Sequence, residues 1–327
     1  MGKEFILENS QEYKLKKFKF VNGRELKDVV VEYITVGTPQ YDDKGNIINA
    51  IVYCHGSSGN FSSVGKIKQL ANSDGPFDLE KYYIISLTSL GKPGSCAPST
   101  TGLFSKFPHY KIEDIVNFHK QFLKEKFGIE KIKGVIGNSK GGYVALSWAA
   151  LYPDSLDFVV SMVSSYKTAG HNYILSRLMN EIIESDPNYG TSDYSMSLVR
   201  TLKIASLIYF NYGFSKEFYR MQDIQELNIS FDEYGDEALF DDIYDIKFEN
   251  DAVLKYDIED KLADIKAKTL IIAINQDQYF PPELDAVPMS KMIKNSTLIR
   301  YDSELGHVGS NEIIKVKDKI NEFMANI

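Results

Sequence analysis

One short string in the chain carries the residue types that nucleophilic chemistry needs. Gly137-Asn138-Ser139-Lys140-Gly141 fits the pattern G-x-S-x-G, and it follows a β-like apolar run and precedes a helix-like one. This pattern places the serine on a sharp strand-to-helix turn, where glycines two residues away avoid steric clashes. The helix would direct free N–H groups toward a developing negative charge. The string therefore predicts Ser139 as a nucleophile.

A serine hydroxyl is a weak nucleophile unless a neighbouring base takes its proton. Among the five histidines, His307 stands just past the last predicted strand, so it would share the carboxyl edge of a parallel sheet with Ser139. His119 falls on the apolar face of a predicted helix and is expected in the core. His109 and His171 follow loop-like stretches and have no evident partners. We therefore interpret His307 as the base.

A carboxylate is expected to orient the histidine ring. Asp277 comes just after a predicted strand, and the order nucleophile, acid, base along the chain is a known order for such triads. The gap between Asp277 and His307 leaves room for one helix and one strand. Asp285 and Asp302 are rivals, but neither follows a strand directly. Asp277 is the predicted third member.

An anionic intermediate needs two N–H donors, and the sequence offers two places for them. The N–H of Lys140 begins the helix after the nucleophile. The string His55-Gly56-Ser57-Ser58-Gly59 follows a predicted strand, and such loops commonly turn N–H groups toward the nucleophile. We predict an oxyanion hole made by Lys140 and Ser57, with Ser58 as the alternative to Ser57.

The side chain of Lys140 poses a separate question, because a cation is unfavourable at a helix N-terminus. Its ammonium group either reaches solvent or a carboxylate of another segment, or faces the cleft and attracts a carboxylate of the substrate. Both alternatives remain open in the sequence.

Short β-rich runs alternate with helical segments, a pattern typical of an α/β fold with a mostly parallel sheet. Residues 111–127 are apolar at helical spacing and Gly128 should end that helix. The segment Gly141–Tyr152 is apolar nearly all round and should be buried. The predicted strands are Val29–Thr35, Ala50–Tyr53, Tyr82–Leu87, Gly134–Ile136, Phe158–Val163, Thr269–Ile274 and Thr297–Tyr301.

The alternation stops between residues 166 and 256, and this segment is helix-like throughout. It contains 16 acidic and 8 basic residues, which leaves the rest of the chain without net charge. The acidic run from Asp232 to Asp245 lacks the spacing of a calcium loop and is expected to be a solvated surface. We predict an α/β core of residues 1–165 and 257–327, with 166–256 inserted as a helical cap, or lid, over the sheet edge.

The composition excludes several classes of protein. The 327 residues are 43% hydrophobic and 25% charged with a net charge of −8, so nucleic-acid binding is disfavoured. Cys54 and Cys96 do not suggest a disulfide framework or a metal site. No apolar run is long enough for a membrane span, and the first residues lack a signal-peptide pattern. We expect a cytoplasmic protein that binds neither metal, cofactor, nucleic acid nor membrane.

With these pieces placed, the chain resembles the homoserine O-acetyltransferase family of α/β hydrolases over most of its length. The nucleophile string with the preceding Gly134-Val135-Ile136 is similar to that family's VIGGSMGG. Further matches are Tyr152-Pro153-Asp154, Asp186-Pro187-Asn188-Tyr189-Gly190, Asp277-Gln278-Tyr279-Phe280-Pro281-Pro282, and Asp302-Ser303 with Gly306-His307. The resemblance implies the same Ser139, Asp277, His307 triad, a helical lid, an acyl-serine intermediate and often a homodimer.

The chain departs from that family at positions that touch the substrate. When Tyr209 is matched to a family tyrosine, Leu202 occupies the position of a substrate-binding arginine, and a shift of the alignment would bring Arg200 or Lys203 near it. The candidates for substrate binding are therefore Lys140, Arg200 and Tyr209.

The leading hypothesis is an esterase that cleaves small, short-chain acyl esters. The alternative is a homoserine O-acetyltransferase, for which the resemblance implies acetyl-CoA as acyl donor and homoserine as acceptor. A non-catalytic binding protein is a remote third hypothesis, because such proteins usually lose a member of the triad.

Overall fold

The fold is built on one eight-stranded sheet. A computed structural model describes residues 3–191 and 196–327 of the chain. The sheet order is β1-β2-β4-β3-β5-β6-β7-β8. Strands β3 to β8 run parallel to one another, whereas β2 is antiparallel to both of its neighbours, β1 and β4. The strands are β1 Gln11–Lys19, β2 Glu25–Val36, β3 Ala50–Cys54, β4 Tyr83–Leu87, β5 Ile132–Asn138, β6 Leu156–Met162, β7 Lys268–Ile274 and β8 Ser296–Tyr301.

Helices cover the sheet and fill the stretch between β6 and β7. The α-helices are α1 Lys3–Glu8, α2 Ile112–Phe127, α3 Lys140–Leu151, α4 Gly170–Glu184, α5 Met196–Gly213, α6 Lys216–Met221, α7 Ile224–Glu237, α8 Ile243–Leu254, α9 Ala286–Met292 and α10 Lys317–Met324. The described residues also form five 3-10 helices: Phe61–Leu70, Phe104–Lys106, Ala238–Phe240, Glu259–Asp264 and Gly306–Val316.

Both faces of the central strands are buried, as continuous apolar runs predict. In β3, Val52 and Cys54 pack with α2 and α3 on one face, whereas Ile51 and Tyr53 pack against the 3-10 segment Phe61–Leu70 on the other. Two apolar layers therefore pack against the two faces of the sheet, and they fix the positions of the loops that leave its carboxyl edge.

All seven predicted strands are present, and so are the two predicted helices. Gly128 ends α2 with a φ of 68°, a conformation that glycine adopts without a steric penalty. His119 is fully buried on α2, as its apolar neighbours indicate. Within the described ranges, no helix has the length and apolar character that a bilayer crossing requires.

The segment between β6 and β7 begins and ends at one narrow neck. Thr168 donates its N–H to the Tyr256 carbonyl at 2.9 Å, and Ile258 donates its N–H to the Tyr166 carbonyl at 3.0 Å. Helices α4 to α8 lie between these pairs, and residues 192–195 of the same segment are outside the described part. The two strands β6 and β7 are thus connected through a segment whose ends are hydrogen-bonded to each other.

The acidic run in this segment is not uniformly solvated, which corrects the expectation from sequence. Asp245 on α8 is fully buried, and its carboxylate accepts hydrogen bonds from the N–H and hydroxyl of Ser99. His109, expected to lack partners, stacks on Phe248 at 4.6 Å between ring centroids. Both differences arise from α8, whose packing has no local signature in the sequence.

Candidate active site

The predicted nucleophile sits on a strained turn between β5 and α3. Ser139 has a φ of 55° and a ψ of −123°, a region that side chains rarely occupy. A Cβ on Gly137 would lie 2.0 Å from the Gly141 carbonyl oxygen, and one on Gly141 would lie 2.0 Å from that of Cys54. Both glycines are therefore required for the turn, and Ser139 remains partly exposed at its tip.

A continuous chain of hydrogen bonds connects Ser139 with the predicted base and acid. The distance from Ser139 Oγ to His307 Nε2 is 3.0 Å, and His307 Nδ1 lies 2.8 Å from Asp277 Oδ2. The His307 side chain keeps 15% of its surface exposed and that of Asp277 only 1%. The geometry matches the distances at which a serine, a histidine and an aspartate exchange or orient protons.

The carboxylate of Asp277 is held in one orientation. Its Oδ1 accepts the N–H groups of Tyr279 and Phe280 at 2.8 and 3.0 Å, which leaves Oδ2 for His307. An ionised carboxylate only accepts hydrogen bonds, so Nδ1 of the ring carries the proton and Nε2 is free to accept one from Ser139.

The two rival carboxylates lie elsewhere. Asp285 accepts a hydrogen bond from the Ser165 hydroxyl at 2.5 Å. Asp302 is exposed and accepts from Asn275 and Gln276. Of the three carboxylates, Asp277 is the one in contact with His307.

The loop of residues 55–59 lies against the nucleophile turn. A Cβ on Gly56 would lie 3.3 Å from Ser139 Cβ, so only a small residue allows this approach. Ser57 is half-buried beside it, whereas Ser58 is exposed. Among the described residues, the N–H groups of Ser57 and Lys140 have no protein acceptor. The arrangement leaves two free donors beside Ser139.

His55 fixes the conformation of this loop, a role that the sequence did not reveal. Ser89 donates its N–H to His55 Nε2 at 2.9 Å, so the proton resides on Nδ1, which donates to the Gly56 carbonyl at 2.7 Å. Burial, reinforced by the Lys140 cation, holds the pKa of His55 well below its usual range. The ring is therefore neutral, and its hydrogen bond to the Gly56 carbonyl fixes the orientation of the peptide group between Gly56 and Ser57.

The side chain of Lys140 meets a carboxylate of the 166–256 segment, the first of the two alternatives left open. Its Nζ lies 2.8 Å from Glu249 Oε2 on α8, and both side chains are buried. The ammonium of Lys92 lies 3.9 Å from the same carboxylate and 3.5 Å from the carboxylate of Asp241. The ammonium group of Lys140 is thus engaged in a protein ion pair. Sequence reasoning missed Glu249 and Lys92, because only the packing of α8 brings them here.

The other two candidates for substrate binding differ in position. Tyr209 on α5 lies beside the site, since its ring is 5.8 Å from Tyr279, which in turn is 4.9 Å from His307. Arg200 is exposed on the same helix, and no hydrogen bond or ion pair of the described residues connects it with Ser139. The structure brings Tyr209 to the site and does not bring Arg200 there.

Comparisons with known proteins agree with this architecture. Residues 49–307 match the family model described as the alpha/beta hydrolase fold. A probable acyltransferase of Methanothermobacter thermautotrophicus is 45% identical over 95% of this chain and 96% of its own length. A probable esterase of Corynebacterium glutamicum is 26% identical over 90% of this chain and 88% of its own. The crystal structure of homoserine O-acetyltransferase from Bacillus anthracis covers 96% of this chain and 97% of its own with a TM-score of 0.82 at 22% identity.

A mostly parallel sheet with a serine on the β5–α3 turn defines the class of α/β hydrolases. The chain belongs to the alpha/beta hydrolase fold family.

Proposed function

We propose that the protein is a serine-nucleophile acyl hydrolase that cleaves short-chain acyl esters through an acyl-serine intermediate. The observation that carries the proposal is the hydrogen-bonded chain from Asp277 through His307 to Ser139. The N–H groups of Ser57 and Lys140, which have no protein acceptor among the described residues, support it, because an anionic intermediate needs such donors. In this proposal Ser139, His307 and Asp277 are the catalytic residues, and Ser57 and Lys140 form the oxyanion hole.

The first half-reaction forms the acyl-enzyme. His307 Nε2 takes the proton of the Ser139 hydroxyl while Oγ attacks the acyl carbon, and the carbonyl oxygen becomes an oxyanion held by the N–H groups of Ser57 and Lys140. Asp277 stabilises the imidazolium and keeps its orientation. The bond to the alcohol oxygen then breaks, and that oxygen leaves with the proton from Nε2.

The second half-reaction releases the acyl group. A water molecule replaces the alcohol, His307 takes one of its protons, and the resulting hydroxide attacks the acyl carbon. The second tetrahedral intermediate collapses, Ser139 Oγ leaves with the proton from Nε2, and the carboxylic acid departs. An acceptor alcohol in place of water gives acyl transfer by the same steps.

We also propose that residues 166–256 are the lid of this site. The segment contacts the loops that carry both other triad members: Gln278 donates to the Phe214 carbonyl at 2.7 Å, and the Ser215 hydroxyl donates to the Glu304 carbonyl at 2.5 Å. Glu249 adds a contact to the nucleophile turn. A lid in this position would limit the size of the substrate and the access of water.

The second candidate function is acyl transfer from acetyl-CoA to homoserine. It is favoured by the relative named a probable acyltransferase, which is 45% identical over nearly the whole chain. The two functions share the acyl-serine intermediate and differ in whether water or an alcohol reaches it first.

One experiment separates the two functions. The purified protein is given p-nitrophenyl acetate without an acceptor, and separately acetyl-CoA with and without homoserine. We expect release of p-nitrophenol without an acceptor and CoA release that does not depend on homoserine. CoA release that requires homoserine would establish the transferase instead. No turnover in any of these assays, with Ser139 unlabelled by a phosphonate, would reject both.

A further inference from the structure

The carboxylate of Glu249 joins three separate segments around the proposed oxyanion hole. It pairs with the ammonium of Lys140 at 2.8 Å and approaches that of Lys92 at 3.9 Å. The hydroxyl of Ser57 lies close enough to this carboxylate to help lower its pKa. Glu249 itself belongs to α8, in the proposed lid. One side chain therefore contacts both residues whose N–H groups we assign to the hole.

This carboxylate is buried and charged. Glu249 is 6% exposed, Lys140 3% and Lys92 5%. Burial opposes ionisation of Glu249, but attraction from Lys140 and Lys92 outweighs it and holds the pKa of the carboxyl below its usual range. A buried ion pair contributes little to stability when compared with apolar residues of the same volume, whereas loss of one partner leaves an uncompensated charge. Another role is therefore needed to explain why charges occupy this position.

Attachment of α8 to its surroundings does not require Glu249. Lys247 on the same helix pairs with Glu184 of α4 at 3.0 Å and with Asp251 at 2.7 Å. Asp245 holds α8 to the loop at Ser99. These contacts fix the helix at two other places, and neither touches the nucleophile turn or the loop of residues 55–59.

We propose that Glu249 is a positioning residue of the oxyanion hole, which fixes the Ser57 and Lys140 N–H groups relative to Ser139 through its contacts with both side chains. The inference rests on the proposed function, because it concerns the same hole. Its physical basis is that N–H donors stabilise an oxyanion only when they are held at the place where the charge develops. The hole is then complete only when α8 is in place over the sheet edge.

The test compares three variants of the full chain with the unmodified protein. E249Q removes the charge and leaves the cation of Lys140 unbalanced. K140M/E249Q removes both charges but keeps an amide oxygen that accepts the Ser57 hydroxyl. K140M/E249L is equally uncharged and has no acceptor for the Ser57 hydroxyl, so the two double variants compare the presence and absence of a polar group at this position. E184Q is the matched control, since it removes a glutamate that pairs with a lysine of α8 away from the site.

The readouts are kcat and KM for p-nitrophenyl acetate, thermal midpoint, and inhibition by a short-chain trifluoromethyl ketone. Ser139 Oγ adds to the carbonyl carbon of this ketone and His307 takes the hydroxyl proton, so the hemiketal oxyanion occupies the hole. Affinity for the ketone therefore measures how well the hole binds an oxyanion. A merely structural change would not weaken ketone binding while leaving KM unchanged.

We expect E249Q to lower kcat roughly 30-fold, less than the roughly 10²–10³-fold loss from removing a donor outright, with KM changed by less than about threefold. Inhibition by the ketone should weaken in the same proportion as kcat. K140M/E249Q should recover only part of the lost kcat, because no unbalanced charge remains and Ser57 keeps an acceptor, whereas the contact with Lys140 stays lost. K140M/E249L should stay as low as E249Q or lower. E184Q should behave like the unmodified protein in kcat and ketone affinity.

Equal kcat and equal ketone affinity in the two double variants would overturn the inference. So would an effect of E249Q confined to KM or to the thermal midpoint. If the unmodified protein neither cleaves the ester nor is inhibited by the ketone, the proposed function fails and the role of Glu249 fails with it.

Discussion

Ser139 occupies a backbone conformation that costs on the order of 1–3 kcal/mol. Backbone contacts hold it there: its N–H donates to the Met162 carbonyl at 2.9 Å, and its carbonyl accepts from the Ser164 hydroxyl at 2.8 Å. None of these contacts involves the Ser139 side chain. Removing the hydroxyl should therefore leave the turn intact, so a loss of activity can be read as a loss of chemistry.

Ser139→Ala and His307→Ala should each lower ester turnover by several orders of magnitude while the fold is kept. Asp277→Asn should cost on the order of 10⁴, because Nδ1 would no longer be held as the donor and the ring could adopt the wrong tautomer. Steady-state hydrolysis of p-nitrophenyl acetate and thermal unfolding measure the two effects. Near-normal turnover by Ser139→Ala would contradict the mechanism, as would phosphonate labelling of a different serine.

At the scale of residues, sequence patterns predict what local geometry requires and miss what packing brings together. Ser139 could be predicted because G-x-S-x-G describes one turn, and Asp277 and His307 because each follows a strand of one sheet. Glu249 lies 109 residues from Lys140 in the sequence and has no motif around it. His55 was visible as part of a loop, but its partner Ser89 becomes apparent only when β3 and β4 are paired.

Helix α8 carries a second buried carboxylate, and its protonation should affect the stability of the fold. Burial raises the pKa of Asp245 from 3.8 to about 7, although hydrogen bonds from Ser99 oppose the shift. The folded state therefore binds this proton more tightly than the unfolded state, and the resulting stabilisation is lost as pH rises from about 4 through about 7.

Asp245→Asn removes this dependence, because the amide oxygen still accepts the Ser99 N–H and carries no charge. We expect the thermal midpoint of the variant, minus that of the unmodified protein, to become more positive between pH 5 and pH 8. Calorimetry at four pH values measures the difference. Asp232→Asn, which changes an exposed carboxylate of α7, is the control. A difference that is flat or falls with pH would refute the assignment.

The proposed lid should control selectivity and leave the folding of the sheet intact. Joining the chain at the neck with a short turn in place of residues 169–255 should give a folded core that is poorly selective or inactive, because Glu249 and the contacts to Gln278 are lost. Circular dichroism and a panel of esters of increasing acyl length measure the two outcomes. A truncated protein with unchanged selectivity would show that the segment is not a lid.

The elements themselves were predicted more completely than their arrangement. Strands that are buried on both faces appear in the sequence as continuous apolar runs. Gly128 indicates the end of α2. The helices between β6 and β7 are periodic enough to be recognised, but sequence does not say which of their polar groups become buried. Asp245 illustrates this: its neighbours in sequence are acidic, and its partner Ser99 lies in a distant loop.

At the scale of the whole molecule, the reactivity of the two cysteines measures how well the fold excludes solvent. Cys54 lies within β3 and Cys96 in the loop near α8, and both are buried. Burial raises the pKa of both thiols, that of Cys96 to about 12, so neither supplies a reactive thiolate in the native state. We expect no reaction with a disulfide reagent in native buffer and two equivalents after denaturation.

The two thiols should differ in how much of the structure must open before they react. Cys54 requires separation of the central strands, whereas Cys96 requires only local opening of its loop. Labelling in increasing denaturant, with Cys96→Ser to isolate Cys54, should show Cys96 reacting first. Rapid stoichiometric labelling of Cys54 in native buffer would contradict the buried position of β3.

The neck at Tyr166 and Tyr256 has a consequence for how such a protein can evolve. Neighbouring strands β6 and β7 are separated by about a hundred residues, but the entropy of closing a loop rises slowly, by about 0.6 kcal/mol for each doubling of its length. Because the backbone pairs at the neck, insertions, deletions or exchanges beyond it leave the two strands in register. If the segment is the lid, as we propose, changes of sequence within it can alter the substrate while the turn that bears Ser139 is conserved.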